Sequence, residues 1–265
     1  FAGDLMRFLT SSGLSLNYNT RGQGRVIVLL HPIGVCSDFW DPVVRELESE
    51  FRLICIDERG HGNSDVPSTS FTLDDLADDV IGIIRAIGQA PVLAAGCSMG
   101  GMSVQALIAR APELLRGAVI ANTAHRRNDA GRAAIEQRAK DAEAGMPAVI
   151  KTTLSRWFDA DVQILRPDLV LQARNWLLNA DPVVHAWSWN AIAGLNYVDQ
   201  LATTNVPCMA LAGLRDQSTS LAAIKDMAAN IPNCRYVEMD TGHLAPLERP
   251  SEFAVHIRAF AHSLS

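Results

Sequence analysis

The sequence predicts an α/β protein: a mostly parallel, eight-stranded sheet with helices on both faces and a helical lid inserted late in the chain. Three observations carry this. Short apolar runs alternate with stretches of helical periodicity, the pattern of strands joined by crossover helices. The runs at residues 26–30, 51–56, 92–95, 117–121 and 208–212 are apolar at nearly every position, as expected of strands covered on both sides. From about residue 125 to 199 the strand-like runs stop, and four of the five tryptophans (Trp157, Trp176, Trp187, Trp189) fall there. The expected limits are therefore 6–124 and 201–265 for the core and 125–200 for the lid.

Taken in order, residues 7–10 and 14–18 read as two short strands around a Ser-Ser-Gly turn. Residues 1–5, ahead of Met6, are read as a vector remnant and left out of the fold. Residues 26–30 form a buried strand that ends in His31-Pro32-Ile33-Gly34, and residues 38–47 read as a helix. The strand 51–56 runs into the loop Asp57-Glu58-Arg59-Gly60-His61-Gly62-Asn63-Ser64. Thr72 with Asp75 resembles a capping pair opening a helix that Gly88 stops. The strand 92–95 precedes a helix over 102–111, and 117–121 is the last strand before the lid. After the lid come strand 208–212, helix 221–230, strand 235–239 and helix 250–263. Arg21-Gly22-Gln23-Gly24 is a poor phosphate loop, because it precedes a strand and does not open a helix.

Composition narrows the function. The 265 residues are 48% hydrophobic and 20% charged, with net charge −6, which suits a packed globule and argues against a nucleic-acid partner. No apolar run reaches the roughly 20 residues that span a bilayer, so no membrane partner is expected. No signal peptide is visible. Cys36, Cys55, Cys97, Cys208 and Cys234 are scattered without a C-x-x-C pair. They read as reduced thiols of a cytoplasmic protein, with no metal site. Whether copies associate into a homo-oligomer is left open.

The chemistry centres on Gly96-Cys97-Ser98-Met99-Gly100. Between a strand and a helix this motif is a nucleophile elbow: a tight turn that holds a strained serine at the end of the sheet. A serine hydroxyl is a weak nucleophile at neutral pH and needs a base. Of the seven histidines, His243 is placed best, on the loop after the last strand; His61 is expected to be structural. The acid should end an earlier strand. Asp216 follows the run 208–212, whereas the other position open to it, the end of 117–121, carries Asn122-Thr123 and no carboxylate. Asp240 is a weaker rival, too near His243 in sequence to orient its ring. The order Ser98, Asp216, His243 matches the nucleophile–acid–histidine order of this motif's usual setting. Met99, at the helix start, and Ile33, since Pro32 has no N–H, are the expected oxyanion donors. The lid-boundary arginines Arg126 and Arg127, with His31 and Trp157, are candidate substrate contacts. Activity should rise as the histidine loses its proton.

The residues His31-Pro32-Ile33-Gly34, Asp57-x-Arg59-Gly60-His61-Gly62-x-Ser64, Gly96-x-Ser98-x-Gly100-Gly101, Asp216 and Gly242-His243 resemble the α/β-hydrolase superfamily over nearly the whole chain. Within it the chain looks most like the 3-oxoadipate enol-lactonases, through Ala121-Asn122-Thr123-Ala124, Arg156-Trp157-Phe158 and Tyr236-Val237-Glu238-Met239-Asp240. The resemblance implies an α/β-hydrolase fold and cofactor-free cleavage of a small-molecule lactone or ester through an acyl-serine. A γ-lactamase, an amidase, a C–C bond hydrolase or a small-molecule receptor on the same frame stays open.

Overall fold

The computed structural model describes residues 4–264. Eight strands form one sheet in the order β1-β2-β4-β3-β5-β6-β7-β8. They are β1 (Asp4–Leu9), β2 (Ser15–Arg21), β3 (Arg25–Leu30), β4 (Phe51–Ile56), β5 (Val92–Cys97), β6 (Leu115–Ala121), β7 (Cys208–Gly213) and β8 (Arg235–Met239). β1 and β2 run antiparallel to their neighbours; β3 to β8 are parallel. Three successive residues of β3, Val28, Leu29 and Leu30, are wholly buried. Side chains alternate across a strand, so both faces of the sheet are covered.

The covering helices of the core are α1 (Asp41–Leu47), α2 (Leu73–Ile87) and α3 (Met99–Arg110). Between β6 and β7 lie α4 (Asp129–Glu143), α5 (Met146–Trp157), α6 (Ala160–Leu165), α7 (Pro167–Asn179), α8 (Pro182–Ala193) and α9 (Val198–Ala202). α10 (Leu221–Asn230), α11 (Ala245–Glu248) and α12 (Pro250–Ser263) complete the chain. α1 packs on α12 and α2 on α3, while α4 packs chiefly on α8.

Local chemistry explains the limits. Thr72 and Asp75 form the expected capping box, and Gly88 ends α2 with φ 70°. Pro42 lacks an N–H and stands in the first turn of α1, so the expected helix over 38–47 divides into a 3₁₀ turn, Ser37–Trp40, and α1 proper.

Two expectations need correction. Asp4 and Leu5, set aside as a remnant, belong to β1 and pair with Thr20 and Asn19; the backbone ladder recruits them whatever their side chains. Residues 1–3 lie outside the described residues. The helix after the elbow starts at Met99, three residues earlier than its apolar periodicity suggests, because the two glycines of its first turn carry no pattern.

Among the described residues, no helix is long and apolar enough to cross a membrane. All five cysteines are free, and among the described residues no group of three or more His, Cys, Asp or Glu is arranged to hold a metal.

Candidate active site

Ser98 stands between β5 and α3 with φ 54° and ψ −117°, a backbone that L-residues avoid. Two contacts hold it there. The Ser98 N–H donates to Ala121 O of β6 (2.9 Å), and the Gly100 N–H donates to His31 O (3.1 Å). The turn is so tight that a Cβ on Gly96 would strike the Gly100 carbonyl, and one on Gly100 would strike the Leu30 carbonyl. The motif's glycines are thus a steric requirement of the turn.

Side chains far apart in sequence converge on Ser98. Its Oγ lies 2.9 Å from His243 Nε2, and His243 Nδ1 lies 2.8 Å from Asp216 Oδ2. Ser98 is 6% exposed and His243 2%. The other Asp216 oxygen accepts the Ser218 and Thr219 N–H groups (2.7 and 2.9 Å). An anionic acceptor bonded in this way fixes the ring with its Nδ1 proton toward the acid and its Nε2 lone pair toward the hydroxyl. The histidine loop is anchored by the His243 N–H on the Trp157 carbonyl (3.1 Å) and by the Gly242 N–H on Glu248 (3.0 and 3.1 Å). Asp240, the weaker rival, instead pairs with Arg215 at 2.9 Å and Arg249 at 3.5 Å.

Sequence reasoning used Asn122 only as the place where a carboxylate is missing. The structure gives it a task. With φ 53° it turns its amide so that Nδ2 donates to Asp216 Oδ2 (3.2 Å) and to Gly242 O (3.2 Å). One side chain thereby ties the acid to the histidine loop. The one available signal was its position at the end of a strand beside β7. Asn122→Ala leaves the acid with one donor fewer and should lower kcat about tenfold, by the usual worth of a hydrogen bond to a charged group. A kcat within twofold of the parent would refute this role.

Of the four candidate substrate contacts, His31 and Arg126 have their polar groups engaged within the chain, and Trp157 is buried. His31 is fully buried; its Nδ1 bonds Pro32 O at 2.7 Å and its Nε2 accepts the Glu58 N–H at 3.1 Å. Both ring nitrogens are used inside the chain, so His31 shapes the loop and reaches no substrate. Burial pushes its pKa down. Arg126 is 56% exposed and pairs with Asp226 at 2.8 Å. The Trp157 ring is 1% exposed, and its backbone carbonyl is what meets His243. Arg127 is half-buried, and burial, with the charge of Arg138, lowers its pKa to about 10.

The loop after β4 braces the loop after β3. Asp57 accepts from Ser37 N (2.7 Å), Asn17 Nδ2 (2.8 Å) and Asn63 N (2.9 Å). His61 packs on His31 with ring centroids 5.0 Å apart, and burial takes its pKa down to about 3, the structural role expected. Glu58 is buried, accepts a bond from Ser103 Oγ (2.6 Å), and is pushed by burial up to about 8. The unfolded chain releases this proton near the ordinary value of 4.5. Between those values the folded state binds one proton more, so stability falls as pH rises. Glu58→Gln should remove this slope, up to about 1.4 kcal/mol per pH unit. Denaturant melts at pH 5, 6.5 and 8 check it, and equal slopes for both proteins would sink the assignment.

A sheet of this topology, with a strained serine after β5 and a histidine–carboxylate pair after β8 and β7, defines a class of protein, and comparison with known proteins agrees. Residues 25–250 match the α/β hydrolase fold family, and the chain belongs to that family. It is similar to 3-oxoadipate enol-lactonase 2 of Acinetobacter baylyi, 27% identical over 248 residues and 92% of each chain. It is also similar to (E)-2-((N-methylformamido)methylene)succinate hydrolase of the same organism, 27% identical over 221 residues and 82% of each. The solved structure of the enol-lactonase from Burkholderia xenovorans LB400 superposes with a TM-score of 0.90 at 28% identity, covering 97% of this chain and all of the other.

Proposed function

We propose that this chain is a serine hydrolase that cleaves a small lactone or carboxylic ester through an acyl-enzyme on Ser98. The observation that carries the reading is the line from Asp216 through His243 to the Ser98 hydroxyl, with contacts of 2.8 and 2.9 Å. The similarity to an enol-lactonase over 92% of both chains supports the ester-type bond.

In this reading Ser98 Oγ attacks the substrate carbonyl while His243 Nε2 takes its proton. Asp216 holds the ring and stabilises the imidazolium. The Ile33 and Met99 N–H groups receive the oxyanion; each such donor is typically worth about 3 kcal/mol in the transition state. His243 then returns the proton to the leaving oxygen. Water, activated by the same histidine, releases the acid and restores Ser98. No cofactor enters this cycle. Residues 125–200 act as the lid over the site, and the free cysteines fit a cytoplasmic setting.

Mass spectrometry after treatment with an organophosphate tests the reading. A single adduct on Ser98, with loss of activity toward p-nitrophenyl acetate, is expected. An unmodified Ser98 in an enzyme that still cleaves the ester would overturn it. Product analysis with lactones, lactams and diketones fixes which bond is preferred.

A further inference from the structure

One buried carboxyl outside the triad touches the elements that carry both proposed oxyanion donors. Glu58 is 2% exposed and follows the end of β4, yet its bonds reach two other elements. Its N–H donates to His31 Nε2 at 3.1 Å, in the loop after β3. Its Oε1 accepts from Ser103 Oγ of α3 at 2.6 Å. The other carboxyl oxygen, Oε2, is buried and has no partner.

Each bond leads towards one donor. Because His31 Nε2 accepts, the ring proton stands on Nδ1 and is donated to Pro32 O at 2.7 Å. The cis peptide bond among the described residues is Ala90-Pro91, so the Pro32–Ile33 peptide is trans. Its C=O and N–H share one plane and point opposite ways. Holding Pro32 O therefore aims the Ile33 N–H. On the other side, Ser103 Oγ also lies 3.4 Å from Met99 O, one turn back on α3. The peptide of that carbonyl carries the Gly100 N–H, which donates to His31 O at 3.1 Å. The first turn of α3 and the loop after β3 are thus joined twice, once directly and once through Glu58.

The groups around the carboxyl favour its neutral form. Burial is the main cause, and Asp79 of α2 adds to it. Arg59, on the same loop, acts the other way, but its guanidinium is bound to both oxygens of Asp79 at 2.7 and 2.9 Å. α3 supplies the Ser103 hydroxyl. His31 and His61 are kept neutral by burial.

We propose that Glu58 is a positioning residue for the hydrolysis, aligning the Ile33 N–H through His31 and Pro32 and the first turn of α3, with the Met99 N–H, through Ser103. The proposal rests on Ser98 being the nucleophile and on those two amides being the oxyanion donors. As a neutral acid, Glu58 holds both elements at fixed separation. Once ionised, it has one donor, an unanswered oxygen and Asp79 nearby. A buried charge so placed draws in water or moves, and the His31 and Ser103 contacts shift with it.

The pH profile of kcat for p-nitrophenyl acetate tests this, with circular dichroism to show the fold intact at each pH. Wild-type kcat should rise as His243 loses its proton and fall again as Glu58 ionises. The fall from pH 7 to pH 9 should be about fivefold or more, a partial loss of donors each worth about a hundredfold. Glu58→Gln keeps the shape and an acceptor for Ser103 but cannot ionise, so the alkaline fall should vanish while the rise remains. Glu58→Ala should lower kcat about ten- to hundredfold with KM within about twofold, because the donors act in the transition state. Glu58→Gln should recover most of that loss. Phenyl trifluoromethyl ketone gives a readout without turnover. Ser98 Oγ adds to its carbonyl carbon, the proton passes to His243, and the new oxyanion rests on the donors. Its affinity should fall in Glu58→Ala in step with kcat. An alkaline fall that persists in Glu58→Gln, or a Glu58→Ala protein with lowered Tm and unchanged kcat, overturns the positioning role alone. An organophosphate that leaves Ser98 unmodified in an active enzyme overturns the nucleophile, and this proposal with it.

Discussion

Ser98→Ala should lower kcat toward p-nitrophenyl acetate by about 10⁴- to 10⁶-fold if Ser98 is the proposed nucleophile, the range found when a nucleophile acting within a triad is removed. The size follows from interdependence. Without the Ser98 Oγ, the His243 Nε2 at 2.9 Å has no proton to take, and the Asp216 contact at 2.8 Å orients a base with no task. On that proposal, what should survive is the contribution of the proposed oxyanion amides and of binding. The fold should not suffer. The hydroxyl's hydrogen-bond partner is His243, while the backbone of the turn is held by the Ser98 N–H on Ala121 O. Circular dichroism melts should therefore match the parent. A variant retaining a tenth of the activity would remove Ser98 from the mechanism.

Gly100→Ala has its effect on the fold itself. The added Cβ would overlap the Leu30 carbonyl and come within 2.9 Å of the His31 carbonyl. Both belong to backbone fixed by the β3–β5 ladder and by the Gly100 N–H bond to His31 O. Neither the strand end nor the first turn of α3 can retreat without losing its register. Overpacking against rigid backbone should cost about 3 kcal/mol or more, which in a domain of this size lowers Tm by about 6–12 °C. Gly194→Ala is the control: its Cβ would stand 3.4 Å from the nearest atom, the Ala191 carbonyl, and its φ is −79°. A Gly100→Ala protein that melts with the control would show that the elbow tolerates a side chain.

These two positions were legible in the sequence because the elbow is local. Five consecutive residues encode its turn, its strained serine and its clearances. The strands were legible for a related reason: burial on both faces demands unbroken apolar runs. Arg126 and Arg127 show the opposite case. Adjacent in the chain, they look alike as lid-boundary cations. The fold turns Arg126 out to Asp226 and leaves Arg127 half-buried beside α4. The setting of His31 was hidden for a similar cause: the loop after β4, distant in sequence, delivers the Glu58 N–H to its ring.

The sequence by itself determined the alternating architecture, the elbow at Ser98 and the order in which acid and histidine follow it, since each is written in a contiguous stretch. The tertiary structure alone decided that Asn122 joins Asp216 to the histidine loop, that Asp4 and Leu5 extend the sheet, and that Arg138 and Arg156 meet over Trp189. Each depends on strand pairing or helix packing between residues 14 to 120 positions apart. No periodicity or motif within a single segment records which distant segment will lie beside it.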